Sequence, residues 1–157
     1  MLPYMVQRNE GEAVWFLNTL AHYKADETST AGQFGLVEFV LPPGFEPPLH
    51  VHHREDEAFY VLEGRITFFC NDSIFDAEPG SFVFFPKNMP HRFKVDENQP
   101  ARVLQFNTPG GFERFHADMG EPALSNTLPE PSAPDIAKLQ QLAGKYGFDL
   151  LPRPEQA

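Results

Sequence analysis

The sequence is poor in cysteine, in basic residues and in long apolar runs. Its only cysteine, Cys70, has no second cysteine to pair with, which excludes a scaffold held by internal disulfides. Lysine and arginine total 12 against 22 acidic residues, and the formal net charge of −10 disfavours binding to phosphate backbones or anionic lipids. No apolar run is long enough to span a bilayer, and residues 1–8 lack the pattern of a secretory signal. We therefore expect a cytoplasmic protein that binds neither nucleic acid nor membrane.

Aromatic and turn-forming residues, in contrast, are abundant. The sequence has 16 phenylalanines, 16 prolines and 11 glycines. Short apolar runs separated by such turn residues are typical of all-β proteins. A length of 157 residues matches one compact domain. The composition therefore predicts a single all-β domain over residues 1–157.

Seven segments have the β-branched and aromatic composition of strands. They are Ala13–Leu17, Phe34–Leu41, Glu57–Leu62, Arg65–Cys70, Ser81–Phe85, His91–Val95 and Arg102–Phe106. Their close spacing predicts a sandwich or a barrel.

The sequence after the strands predicts helices. Gly111–Met119 is compatible with a short helix, and Ser125–Pro134 is a proline-rich linker that we expect to wrap around the surface. A second helix is predicted from Pro134 to about Gly147, packed on the outside of the barrel. The positions that share its apolar face are Ile136, Leu139, Ala143 and Tyr146.

One predicted strand is apolar on both of its faces. Consecutive side chains of a strand point to opposite sides, so in the run from Phe82 to Phe85 both faces need covering. A second sheet covers one face, and a partner subunit is suited to the other. Together with the N-terminal arm and the proline-rich tail, this pattern predicts a homodimer.

The chemistry is concentrated in a cluster of histidines and one glutamate. His50 and His52 are separated by one residue, so on a strand both rings point to the same side. Glu57 opens the next strand, and His91 follows a loop that returns the chain across the first motif. Three neutral imidazoles and one carboxylate are a donor set for a divalent transition metal, and Fe, Mn, Ni, Cu and Zn all remain open.

These residues lie in two motifs that resemble those of the cupin superfamily. The first, G-x5-H-x-H-x4-E-x6-G, is matched at every fixed position from Gly44 to Gly64. The second, G-x5-P-x-G-x2-H-x3-N, is matched at Gly80, Pro86 and His91, whereas Asn88 and Val95 depart from it. The resemblance implies a cupin double-stranded β-helix, or jelly-roll barrel, with the metal inside its mouth. We expect a barrel core at about 12–107 and a helical, proline-rich extension at 108–157.

Within that superfamily the sequence is similar to small single-domain bacterial cupins of the quercetin 2,3-dioxygenase type. The phrases that carry this likeness begin at Pro48, Glu57 and Thr108. The likeness implies a dioxygenase that acts on a small aromatic or enolisable, flavonol-like substrate, with Glu57 as the catalytic group that accepts or holds the substrate proton. A metal-dependent isomerase or lyase and a non-catalytic small-molecule-binding protein remain as alternatives, because all three use the same ligands.

The remaining polar residues near the motifs are predicted to have other roles. His53 points away from the ligand pair, and Glu55 and Asp56 have the composition of a solvated acidic turn. His22 and His116 lack ligand spacing, so we interpret both as structural. Gln105 is a candidate for the barrel mouth. The candidates for the pocket wall are Phe59, Val61, Phe82, Phe84 and Phe93.

Overall fold

The computed structural model describes residues 1–153, so the last four positions of the predicted extension, 154–157, lie outside the described residues. The strands are β1 (Ala13–Phe16), β2 (Thr19–Ala25), β3 (Gly35–Leu41), β4 (His50–His52), β5 (Asp56–Glu63), β6 (Ile66–Cys70), β7 (Ser73–Ala77), β8 (Phe82–Phe85), β9 (His91–Val95), β10 (Ala101–Thr108), β11 (Glu121–Pro122) and β12 (Phe148–Leu150). The helices are α1 (Arg114–Met119) and α2 (Ile136–Tyr146).

The strands form two antiparallel sheets. One has seven strands in the order β11-β1-β2-β3-β10-β5-β8, and the other has five in the order β12-β4-β9-β6-β7. From β3 to β10 the chain crosses repeatedly between the two sheets, with only the β6–β7 pair remaining in one sheet, as in a jelly roll. The predicted all-β jelly-roll fold with a helical C-terminal extension is therefore confirmed. The exact division at about 12–107 and 108–157 stays a prediction.

The core between the sheets is rich in phenylalanine. Phe68 is fully buried and its ring centroid lies 5.2 Å from that of Phe59, 5.8 Å from that of Phe85 and 5.6 Å from that of Phe93. Cys70 is also buried. These rings come from β5, β6, β8 and β9, so one aromatic cluster joins both sheets.

Four strands were not predicted from the sequence, and one of them, β11, is only two residues long. β2 follows β1 after the two-residue turn Leu17-Asn18, where both residues have positive φ, so the first hairpin is tighter than expected. β7 is mostly exposed and forms a hairpin with β6. β12 is only three residues long and pairs with β4, which is distant in sequence.

The C-terminal helix α2 has clear boundary signals. Asp135 caps its start by accepting a hydrogen bond from the Lys138 N–H at 3.0 Å. Gly147 ends it with a φ of 71°, and a Cβ at that position would lie 2.4 Å from Arg54 Nε. Leu139 and Ala143 are buried as predicted, but Ile136, the first residue of the helix, is 53% exposed. Neither helix within residues 1–153 has the length and apolar character needed to cross a bilayer.

Candidate metal centre

The backbone brings the four predicted ligand residues together. His50 and His52 lie on β4, and His91 on β9 is the direct cross-strand partner of His50. Glu57 lies on β5, which belongs to the opposite sheet. One donor atom of each residue lies within 4.8 Å of those of the others. The cluster therefore spans the two sheets at one end of the barrel.

The imidazole rings are held by packing against aromatic side chains. The ring of His91 stacks on that of Phe85, with centroids 4.2 Å apart and planes 2° from parallel. The ring of His52 meets Phe112 edge-on, with centroids 4.4 Å apart. His52, Glu57 and His91 are each 2% exposed. The ring orientations are thus set before any ligand binds.

Each of the three histidines uses Nδ1 in a hydrogen bond away from the cluster. Nδ1 of His50 lies 2.8 Å from the carbonyl of Pro48, and Nδ1 of His91 lies 3.0 Å from the carbonyl of Met89. Nδ1 of His52 lies 2.7 Å from Oε1 of Glu55. These acceptors require Nδ1–H as the donor, so each Nε2 keeps a lone pair for the cluster.

The carboxylate of Glu57 contacts two amide donors and an imidazole nitrogen. Gln105 Nε2 and Asn107 Nδ2 donate to its Oε2 at 3.2 Å and 3.1 Å, and His91 Nε2 lies 3.1 Å from its Oε1. Burial disfavours the charged carboxylate, but the neighbouring imidazoles of His52 and His91 outweigh it and hold the pKa of Glu57 below its ordinary value. Glu57 is therefore ionised at neutral pH.

The imidazole of His50 is uncharged at neutral pH. Removal from bulk water lowers its pKa to about 3, and the nearby rings of His91 and His52 act in the same direction. Metal ions bind the neutral form of imidazole. The charge states of Glu57 and His50 are thus those that a cation requires.

The structure corrects the prediction for Glu55. Its side chain was expected to be a solvated acidic turn, but it is 4% exposed and bonds to His52. The physical reason is that β5 begins at Asp56, so the bend before it folds inward over β4. Asp56 is partly exposed, and its carboxylate accepts the Lys87 N–H at 2.8 Å.

Two amides of β10 complete the surroundings of Glu57. Gln105 was a candidate for the barrel mouth, and it does line the cavity and contact Glu57. Asn107 was missed, although it follows Gln105 by two residues and therefore lies on the same face of the strand. The alternation of side chains along the strand could therefore have identified Asn107 from the sequence.

An apolar cavity of about 80 Å³ adjoins the cluster. His50, His52 and Glu57 line part of it, and eight phenylalanines line much of the remainder. Residues of the C-terminal extension also line it, so α2 and β12 cover the barrel mouth and not merely its outside. The residues of α2 and β12 that line the cavity are Leu139, Phe148 and Leu150.

The predicted wall residues divide into two groups. Phe59 and Phe93 line the cavity, and Val61 is buried in the core. Phe82 and Phe84 do not line the cavity. The alternation of β8 turns Val83 and Phe85 inward and leaves Phe82 66% and Phe84 51% exposed. The prediction that they form the wall was wrong.

The other histidines lie outside the four-residue cluster. His53 points away from it, with Nε2 2.7 Å from Asp149 Oδ2 and Nδ1 2.9 Å from Asn88 Oδ1. His22 lies 2.9 Å from Asn126 Oδ1 through its Nε2. His116 is buried and lines the cavity, which no spacing in the sequence indicates.

The donor set fits a divalent transition metal. Three Nε2 atoms and one carboxylate converge, and Nε2 of His52 is buried without a partner of hydrogen-bond geometry. A lone pair of this kind is costly unless something binds it. A bound cation would satisfy it.

Comparisons with known proteins agree with the fold described above. Residues 37–106 match the family model described as Cupin domain. Over 133 residues, 84% of the chain, the sequence is 30% identical to quercetin 2,3-dioxygenase of Bacillus subtilis (strain 168), and it spans 39% of the length of that relative. The solved structure of KdgF from Halomonas sp. superposes with a TM-score of 0.62 at 15% identity, covering 73% of this chain and 99% of that one. The polyketide cyclase RemF from Streptomyces resistomycificus gives a TM-score of 0.59 at 25% identity and covers 83% of this chain and 89% of its own.

Proposed function

Because this chain belongs to the cupin superfamily, we propose that it is a metal-dependent enzyme, and specifically a dioxygenase of a small aromatic or enolisable, flavonol-like substrate. The observation that carries the proposal is the convergence of four donor atoms within 4.8 Å beside an aromatic cavity. The proposed ligands are His50, His52, Glu57 and His91, and the metal is one of Fe, Mn, Ni, Cu and Zn.

The chemistry that such a metal supplies is Lewis acidity toward a substrate oxygen. The protein side chains do the rest. The ionised carboxylate of Glu57 accepts the proton of the substrate hydroxyl, since it is the only carboxylate that lines the cavity within residues 1–153. The amide donors of Gln105 and Asn107 fix the carboxylate in place, and the aromatic wall excludes water.

Oxygen consumption tests the dioxygenase. The protein is stripped with a chelator and reloaded in turn with Fe(II), Mn(II), Ni(II) or Cu(II), and oxygen uptake is followed after addition of a flavonol. We expect uptake with at least one metal, and its loss in Glu57→Gln and His91→Ala. His22→Ala serves as a matched control. His22 bonds to Asn126, which is not a predicted ligand, and it lines no part of the cavity. Absence of uptake with all four metals removes the dioxygenase.

A second function has its own support. The cavity volume of about 80 Å³ is well below the roughly 300–1,000 Å³ of typical ligand pockets. A flavonol therefore requires outward movement of the C-terminal elements that cover the mouth, whereas a smaller metabolite requires less. The similarity to a polyketide cyclase also favours chemistry without oxygen. A metal-dependent isomerase, lyase or cyclase predicts anaerobic turnover, and a non-catalytic binding protein predicts ligand-induced stabilisation without product.

We also propose that two copies of the chain associate through the outer face of the seven-stranded sheet. Tyr60, Phe82 and Phe84 are large apolar side chains exposed on that face, and Leu104 and Phe106 border the same shallow depression. Such a surface is suited to a partner subunit. Light scattering tests the dimer, and a monomer for the wild-type chain contradicts it. The cytoplasmic location and the single-domain organisation stay predictions.

A further inference from the structure

His116 is a buried polar side chain, and one of its ring nitrogens has no partner of hydrogen-bond geometry within residues 1–153. It lies on α1, is 2% exposed and lines the same cavity as the metal cluster. Its ring centroid lies 4.8 Å from that of Phe16, 5.0 Å from that of Phe39 and 5.4 Å from that of Phe112. Its Nδ1 is buried without a partner of hydrogen-bond geometry.

The surroundings keep this imidazole neutral. Burial lowers the pKa of His116 to about 3, despite the opposing effects of Glu57 and of the Glu113 carbonyl. A neutral imidazole presents one N–H donor and one lone pair. Packing alone gives no reason for a nitrogen heterocycle here, because a phenylalanine ring offers the same apolar contacts without the cost of unpaired polar atoms.

Gln105 supplies a second unsatisfied atom in the cavity. Its Nε2 donates to the acceptor-only carboxylate of Glu57, which fixes the amide so that Oε1 is the free end. That Oε1 is buried without a partner. The cavity thus combines an apolar, aromatic lining with polar groups that lack hydrogen bonds, and such a combination is typical of a ligand site.

We propose that His116 is a specificity-determining residue that hydrogen-bonds a hydroxyl group of an aromatic ligand. A hydroxyl both donates and accepts, so it satisfies a neutral imidazole in either tautomer. Phe112 contacts both His52 and His116, so the site lies across one aromatic ring from the metal cluster. The inference rests on the proposed function where it takes this ligand to be the substrate of the enzyme. The hydrogen bond to His116 itself needs no metal.

Phenol and toluene are the probes, because they have the same number of heavy atoms and differ in a hydroxyl against a methyl group. Their dissociation constants are measured by calorimetry on the full chain, both chelator-stripped and loaded with Zn(II). We expect the wild type to bind phenol about tenfold more tightly than toluene, the size of effect that one hydrogen bond gives. We expect His116→Phe to lose this preference and His116→Gln, which keeps a donor and an acceptor, to retain part of it. His22→Phe is the matched control and keeps the wild-type ratio.

Thermal unfolding separates recognition from a structural role. Because His116→Phe removes unpaired polar atoms, we expect its melting temperature to equal or exceed that of the wild type, with unchanged metal content. A lower melting temperature with an unchanged phenol preference, or a wild type that does not prefer phenol, overturns the inference. A preference that persists in the stripped protein, together with no oxygen uptake in the loaded protein, removes the dioxygenase and leaves the inference standing.

Discussion

Replacement of Glu55 tests whether the cluster is built to hold a metal. Its buried carboxylate accepts from Nδ1 of His52 at 2.7 Å and so fixes both the ring and its tautomer. Loss of such a supporting partner typically lowers metal affinity about 10- to 100-fold, which corresponds to about 1.4–2.7 kcal/mol. Glu55→Gln keeps an acceptor oxygen and loses only the charge, so we expect a value near the lower end. Glu55→Ala leaves Nδ1 of His52 unsatisfied, so we expect a value near the upper end.

The affinity is measured by competition between the protein and a chromogenic chelator for Zn(II) and for Mn(II). Glu130→Gln is the control, because Glu130 is exposed and makes no hydrogen bond or ion pair within residues 1–153. Circular dichroism verifies that the variants fold. If Glu55→Ala binds metal as tightly as the wild type, the hydrogen bond to His52 does not support the cluster and the reasoning is wrong.

Three further predictions concern stability. Added metal at about 100 times its dissociation constant raises the unfolding free energy by about 2.7 kcal/mol, or roughly 5–11 °C in Tm for a chain of this size; scanning calorimetry measures the shift, and an equal shift in His91→Ala contradicts ligation by His91. Phe68→Ala empties a fully buried position among three other rings, so urea unfolding should show a loss of about 3–5 kcal/mol, and a loss below 1 kcal/mol would mean that the core collapses around the gap. Because the pKa of His116 is lowered to about 3, the unfolded chain binds a proton there that the folded chain does not, and stability falls as the pH drops from 6.5 toward 3. This residue contributes up to about 1.4 kcal/mol per pH unit, so urea unfolding of His116→Phe should show a shallower acid dependence than the wild type, and identical slopes count against it.

The positions of the candidate ligands followed from local rules. A strand alternates its faces every residue, so His50 and His52 had to share a side. The spacing of the first motif tied Glu57 to them, and the second motif of the same family resemblance supplied His91. Their convergence then needed only that two strands return to the same end of a barrel. The four donor atoms within 4.8 Å are the structural counterpart of that pattern.

Residues that depend on closure of the whole fold were harder to predict. Glu55 stands in the charged segment from His53 to Asp56, where composition indicates solvent, and only its place beneath the start of β5 buries it. His116 has no spacing relation to the motifs, because α1 reaches the cavity through tertiary packing alone. The sequence shows that the side chains of β8 alternate between two faces, but it does not show which face points inward. Phe82 and Phe84, which are exposed, were therefore mistaken for residues of the pocket wall.

The pairing of β12 with β4 has a consequence for how the protein is made. Phe148 lies opposite His52 and Leu150 opposite His50, so β4 is an open edge of its sheet until those residues arrive. Because a ribosome releases the chain from the N-terminus onward, this edge stays bare until β12 has emerged. Metal binding in the cell is therefore expected to follow the emergence of β12, and a ribosome-stalled chain ending before Phe148 should acquire little metal.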